Sequence, residues 1–468
     1  MEKTFKVLEN IKKIHMIGIG GVSMSGIALI LKKEGYTVTG SDKNAGDMTE
    51  ILEKNDIPVF IGSNAELVKD ADIIVYTSAI NQHDPEYVRA KSLGIPTYER
   101  AKFLGLLLES YKLPICISGT HGKTTTTSMI SSIFIDANLD PNIQVGGKFK
   151  KLDNLNYRIG ESEYFILESC EYVDSFLNFP HNTAVILNIE EDHLDYFAGI
   201  EEIKESFKKF ILMTSDNGIL VVNKDDVNCM DVSHELDESL ANKKIKILTF
   251  SLSEPTATIY AKNISCNIKG FYTFDVRNPD NEITYKFSLT VPGIHNVYNA
   301  LAAITASYAH GINFEVMQKS LNDFCGAKRR FELKKQFDNN ILVYDDYAHH
   351  PTEIKANLAV AKQKEHNRII AVFQPHTYTR TKELLNDFST SFSDCDIAII
   401  ADIYAAREID DGSVSSLDLV NKLKENDVNA IYIPELEDIA KYLKEIMQPG
   451  DIILTLGAGS VTHISEMM

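Results

Sequence analysis

The run Ile115-Cys-Ile-Ser-Gly119-Thr120-His121-Gly122-Lys123-Thr124-Thr125-Thr-Thr127, continued by Ser-Met-Ile-Ser-Ser-Ile-Phe, sets the terms for the whole chain. An apolar stretch enters two glycines three residues apart, then a lysine and four threonines, and leaves as a helix-like segment. That is the order of strand, phosphate-cradling loop and helix. Each residue type has a physical task. Glycines let backbone N–H groups close around phosphate oxygens, and the helix N-terminus adds partial positive charge. Lys123 reaches the terminal phosphates, and the Thr124 hydroxyl suits Mg²⁺. The segment from Gly119 to Thr125 therefore reads as an ATP site. Its spacing departs from the common GxxxxGK[ST] loop, which would place the first glycine five residues before Gly122, where Ile117 stands.

A chain of 468 residues has room for about three domains. Its formal charge of −19 excludes a broad basic face and argues against nucleic-acid or anionic-membrane binding. The six cysteines form no CxxC pair and no metal-ligand spacing, so reduced thiols in a reducing compartment are expected. The N-terminal residues lack the apolar core of a signal peptide, and no run approaches about 18 apolar residues, so a cytoplasmic protein without membrane insertion is expected.

The first third opens as a βαβ unit. Ile14-His-Met-Ile-Gly18-Ile-Gly20-Gly21-Val-Ser23-Met24-Ser25-Gly26 reads as strand, glycine turn and helix, and Tyr36 to Asp42 reads as a second strand ending in an acid. A diphosphate is expected on the helix N-terminus, with Asp42 near a ribose or base. The third glycine of G-x-G-x-x-G would fall at position 23, which is serine, so a ligand other than NAD is indicated. Two further strands, at 72–80 and 95–98, bring polar residues to the ligand edge. There Thr77 and Ser78 are either ligand contacts or a simple turn.

In the central third, Tyr164-Phe-Ile-Leu-Glu168 places a carboxylate at a strand end, and Asn188-Ile-Glu190-Glu191-Asp192-His193-Leu-Asp195 follows the next strand. Parallel strands end on one edge, which would bring Glu168 and His193 towards Thr124 as ligands of Mg²⁺. Glu190, Glu191 and Asp195 read as solvated loop acids. Alternation between residues 257 and 289 predicts an antiparallel β insert. A helix starting near Gly293 carries Asn296, suited to a base edge. The last third repeats the strand and helix alternation of an open α/β sheet. Its strand ends carry Asp345-Asp346-Tyr347-Ala-His349-His350-Pro351-Thr352-Glu353 and Gln374-Pro-His376-Thr377-Tyr378-Thr379-Arg380.

The combined set resembles the Mur ligases. It comprises GTHGKTTTT at 119–127, ESCEY at 168–172, NIEEDHLDYF at 188–197, GIHNVYNALAA at 293–303, AKRRFE at 327–332, YDDYAHHPTEI at 344–354 and FQPHTYTRTKEL at 373–384. These motifs span the chain in the family's order. The resemblance implies an α/β protein of three domains: a Rossmann-like UDP-binding domain over residues 1–112, a central P-loop-type ATPase domain with an antiparallel β insert over 113–325, and a C-terminal Rossmann-like domain over 326–468. It implies ATP and Mg²⁺ as cofactors and UDP-N-acetylmuramate and L-alanine as substrates, joined through an acyl phosphate. The oligomeric state stays open.

By motif position, the resemblance implies that Gly119, Thr120, His121, Gly122, Lys123, Thr124, Thr125 and Asn296 hold the nucleotide, with Arg330 and Asp345 brought to it by the C-terminal domain. Thr124, Glu168 and His193 would hold Mg²⁺. Gly20, Gly21, Ser23, Met24, Asp42, Thr77 and Ser78 would hold the UDP-sugar, and Tyr347, His349, His376 and Arg380 would line the alanine site. Lys123, His193, Arg330, Asp345 and His349 would be the residues of catalysis. Some relatives carry arginine where this chain has Thr377, which leaves recognition of the alanine carboxylate more to Arg380. In later-acting members a carbamoylated lysine lies about fifteen residues beyond the motif histidine, where this chain has Lys208. The amphipathic pattern of 201–210, with Ile203, Phe207 and Phe210 inward, instead reads Lys208 as a solvated lysine.

Three other readings remain open on sequence: a nicotinamide-linked oxidoreductase, an ATP-driven switch, and a recycling ligase that attaches a preformed peptide. Calorimetry on residues 1–112 separates the first from a Mur ligase. Saturable binding of a UDP-sugar and none of NAD is the expected outcome.

Overall fold

The computed structural model describes residues 5–406 and 408–468. Their strands fall into three sheets.

The N-terminal sheet has five parallel strands. Lys13–Ile17 lies in the middle, with Thr37–Asp42 and Val59–Ile61 on one side and Ile73–Tyr76 and Thr97–Glu99 on the other. The order reverses between the first strand and Ile73–Tyr76, the crevice where such sheets take ligands. Helix Val22–Lys33 buries Met24, Ile27 and Leu31 against it.

The central sheet has ten strands. Leu113–Ser118 sits between Tyr164–Glu168 and His181–Ile186, all three parallel. Strand alternation sends Ile115 and Ile117 to one face, where they pack with helices Lys123–Asp136 and Ile294–Ala309. Cys116 points to the other face, in a core shared with Phe207 and Phe210 of helix Ile200–Leu212 and with Phe103 and Leu104 of the N-terminal domain. The expected antiparallel insert is present as Ile259–Cys266, Phe271–Arg277 and Thr284–Pro292. It prolongs the central sheet, because Ile259–Cys266 also pairs in parallel with Lys246–Ser251.

The C-terminal sheet has six strands. Five are parallel: Ile341–Asp346, Ile452–Leu456, Ile369–Phe373, Ile397–Ile400 and Ala430–Tyr432. Sequence patterning missed the last, only three residues long, and also the antiparallel edge strand Glu332–Phe337. That edge strand is charged and largely solvated, as unpaired edges commonly are, so it lacks an apolar signature.

Helix Arg100–Leu108 joins the first two domains by lying against Tyr172–Asn178. A Cβ added at Gly105 would collide with the carbonyl oxygen of Asn178. In a free helix alanine would be favoured over glycine by about 1 kcal/mol. Here overpacking against backbone reverses the sign. Gly105→Ala is expected to destabilise by about 1–3 kcal/mol, read as a lower unfolding midpoint in thermal denaturation.

Candidate active site

The nucleotide loop requires its glycines. Gly119 and Gly122 have φ of +143° and +81°. A Cβ at Gly122 would strike the Asn299 side chain, and one at Gly119 would press on Leu187 and Asn188. Asn188 clamps the loop from the next strand, its Oδ1 accepting from His121 N at 2.7 Å and its Nδ2 donating to His121 O at 3.1 Å.

Lys123 begins the following helix and donates from Nζ to the carbonyls of Gly119 and Thr120 and to Glu171 at 2.9 Å. Burial works against the Lys123 charge, but the Glu171 carboxylate overcomes it and raises the lysine pKa. The Thr124 hydroxyl donates to Glu168 at 2.8 Å, and the other Glu168 oxygen accepts Gly146 N at 2.6 Å. Glu171 is the residue that sequence reasoning missed. It is the second acid of ESCEY, three residues beyond Glu168 and past the end of its strand, and the only available signal was that spacing.

Cys170, Glu171 and His193 bring ligand atoms within 4.8 Å of one another, as do His121, Glu190 and His350. The Thr124 hydroxyl and the Glu168 carboxylate are oxygen donors suited to a hard divalent cation, with Lys123 between them and Glu171. His193 is held at φ of +54°. Burial depresses its pKa to about 4, against the pull of Asp192, so its imidazole is neutral.

A cavity of about 320 Å³ lies between the loop, the helix carrying Asn296 and Asn299, and Arg330 from the C-terminal domain. Asn296 lines it, although its amide is bonded within the protein, to Pro292 O at 2.7 Å and Asn299 at 2.9 Å. Arg330 reaches Thr124 Oγ1 at 3.2 Å, in line with a nucleotide contact.

The expectation for Asp345 moves by one residue. Adjacent strand positions face opposite ways. Asp345 is fully buried and bonded to Arg329, Thr455 and Thr462, whereas Asp346 lines the cavity. Burial pushes the Asp346 carboxyl up to about 6, opposed by Arg330.

The residues expected at the alanine site, Tyr347, His349, His376 and Arg380, lie together in the structure. The Arg330 guanidinium lies over Tyr347 at 5.4 Å, and the rings of His349 and His376 are 6.0 Å apart. Arg380 is committed to Asp192 at 3.1 Å and also donates to His376 at 3.3 Å and His193 at 3.4 Å. Asp192 is buried, and Arg380 keeps its carboxyl ionised against that burial. Thr377, at φ of +68°, caps the short helix that presents Arg380. A β-branched residue in the left-handed region is strained, and its place here fits a functional segment.

Glu190 corrects the reading of the loop acids as merely solvated. It faces His121 at 3.6 Å and accepts from Thr352 at 3.1 Å, linking two domains. Lys208 is only 15% exposed at its side chain, not a free solvated lysine, and its ammonium pairs with Glu205 at 2.6 Å and with Glu235, both outside the nucleotide loop.

In the N-terminal crevice, Gly20 N donates to Asp42 at 2.8 Å, closing the glycine turn on the acid expected at the ligand. A Cβ on Gly20 would press on that carboxylate, while one on Gly21 would make ordinary contacts with Gly18 and Met24. Ser23 Oγ accepts from Arg100 at 3.3 Å and from Gln144 of the central domain. Met24 has its side chain in the core, so only its backbone is available to a ligand. Thr77 and Ser78 follow strand Ile73–Tyr76, and Thr77 Oγ1 accepts Ala79 N at 3.4 Å, the geometry of a turn.

Three family models match in succession: "Mur ligase family, catalytic domain" over residues 13–112, "Mur ligase middle domain" over 117–307 and "Mur ligase, glutamate ligase domain" over 329–459. The chain is 50% identical over 456 residues to UDP-N-acetylmuramate–L-alanine ligase of Acetivibrio thermocellus, covering 97% of this chain and 95% of that one. It is 47% identical to the enzyme of the same name from Clostridium novyi, covering 98% and 97%. Among solved structures, UDP-N-acetylmuramate-alanine ligase from Thermotoga maritima superposes with a TM-score of 0.78 at 27% identity, covering 97% of each chain. A murein peptide ligase from Psychrobacter arcticus gives 0.70 at 25%, again over 97% of each. With the nucleotide loop, its carboxylates and the C-terminal arginines in one cleft, and with matches spanning all three sheets, the chain belongs to the Mur ligase family.

Proposed function

We propose that this protein joins L-alanine to the carboxylate of UDP-N-acetylmuramate with cleavage of ATP to ADP and phosphate, in the cytoplasmic stage of peptidoglycan synthesis. The observation that carries this reading is the convergence of Lys123, Thr124 and Glu168 with Arg330, His349 and Arg380 across the cleft between the central and C-terminal domains. The relatives at 50% and 47% identity bear the name of the alanine-adding enzyme. They favour it over the peptide-attaching reading, two of whose solved representatives are 25% and 28% identical.

A carboxylate is a poor electrophile and carries a poor leaving group. Transfer of the terminal phosphoryl group of ATP to it gives an acyl phosphate and corrects both defects. The alanine amine then attacks the acyl carbon, the C–N bond forms and phosphate departs. The protein's task is to hold anions together and offset their charge with groups already in place. Lys123 and the loop N–H groups face the phosphates, and Arg330 adds a second positive charge from the opposite domain. Thr124 and Glu168 would hold Mg²⁺, with Glu171 and His193 beside them, and the ion would supply Lewis-acid charge neutralisation at the phosphates. Arg380 is the cation nearest the alanine carboxylate in this reading. His376 and His349 stay neutral because burial depresses both, His376 to about 4. As neutral imidazoles they add no positive charge beside the alanine ammonium and can accept a hydrogen bond from it.

Phosphate release with UDP-N-acetylmuramate and, in turn, alanine, glycine, serine and a tripeptide tests the reading. Alanine is expected to give the highest rate, and turnover indifferent to amino acids would overturn it. Lys123→Ala is expected to fold and lose roughly 10²–10³ in turnover, since one preorganised charge at the transferring phosphoryl group is removed. Lys208→Ala is expected to retain the wild-type rate without bicarbonate, measured in the same assay.

A further inference from the structure

The side chain of Glu353 is unusual in serving two domains with its two oxygens. Oε2 accepts the backbone N–H of His349 at 3.0 Å and of His350 at 3.4 Å, completing a capping box at the start of helix Pro351–Gln363. A cap uses one oxygen and leaves the other to solvent. Here Oε1 is turned into the cleft, 3.4 Å from Nδ1 of His121 in the nucleotide loop and 4.0 Å from Arg330. Only 15% of either the His121 or the Glu353 side chain is exposed. The His121 backbone is fixed by Asn188, and its ring reaches the C-terminal domain, lying tilted against His350 with centroids 4.8 Å apart.

We propose that the His121–Glu353 contact couples occupancy of the nucleotide loop to the amino-acid site, with Glu353 acting as a positioning residue for His349. The chain of contacts is short and continuous. The loop fixes His121, His121 fixes the Glu353 carboxylate, and the carboxylate fixes the backbone N–H groups of His349 and His350. A loop filled with phosphates thereby favours the arrangement of the C-terminal segment that receives alanine. The coupling is reciprocal, as any linkage between two binding equilibria must be.

This inference rests on the ligase reading above, and steady-state kinetics of the full chain separate the two. The Michaelis constants for L-alanine and for ATP are measured in wild type, Glu353→Gln, His121→Asn and the double variant. Glutamine keeps an oxygen acceptor for the His349 and His350 N–H groups, so a role confined to helix capping predicts an unchanged KM for alanine. The expected result is a rise of about tenfold in the alanine KM in each single variant, within the usual range of coupling between sites. By the same reciprocity the ATP KM should rise by a comparable factor at saturating L-alanine, kcat should change less, and the double variant should be no worse than the singles because both remove one shared contact. An unchanged alanine KM, an effect confined to ATP, or single effects that multiply to about a hundredfold would overturn the proposal. His121→Asn touches no cap and keeps the test decisive should Glu353→Gln unfold. Wild-type protein without alanine-dependent phosphate release would overturn the ligase reading, and the coupling with it.

Discussion

The buried ammonium of Lys123 is the constraint around which the site is built. A lysine charge removed from water is costly unless it is paired and hydrogen-bonded. The strand-to-helix turn supplies two carbonyls, and Glu171 supplies the countercharge. Glu171 in turn is buried beside His193, which Arg380 and Asp192 hold from the other side. One cation therefore organises groups from two sheets. It explains why acids crowd a cleft whose substrates are anions: they keep the cations in place until phosphates arrive to share them.

The second organising feature is closure. The C-terminal domain meets the central one through Arg330 on Thr124, Arg380 on Asp192, Thr352 on Glu190, and His350 on the carbonyl of Glu191. These contacts are polar, and most involve at least one charged group. Interfaces of that kind open more readily than apolar ones. The junction with the N-terminal domain is different, because Phe103, Leu104 and Leu108 enter the same core as Phe207 and Phe210. An apolar junction with the N-terminal domain and a polar one with the C-terminal domain make the second the easier to open.

Much of this was legible in the chain. The glycine spacing at 119 and 122, the apolar strands and the period of the β insert dictate parallel strands feeding helices, with polar residues gathered at strand ends. Those are local properties, set by backbone sterics and side-chain period. The motif set then gave the family, and the matches over 13–112, 117–307 and 329–459 agree with it. What local pattern could not supply was direction and partnership. Two adjacent aspartates look equivalent in sequence, and only the strand's register decided that Asp346 faces the cavity while Asp345 is bonded to Arg329, Thr455 and Thr462.

Glu171, Asp192 and Glu353 were hidden for the same reason. An acid on a loop or at a helix start reads as solvated or capping unless its countercharge is known. Those countercharges come from residues 48, 188 and 232 positions away in the chain. The sequence by itself determined the three α/β units, the phosphate loop and the chemistry of its residues, because these follow from short-range geometry. The tertiary structure alone decided which acids hold which cations across the cleft, because Coulomb and hydrogen-bond energies depend on distances that only the packed chain sets.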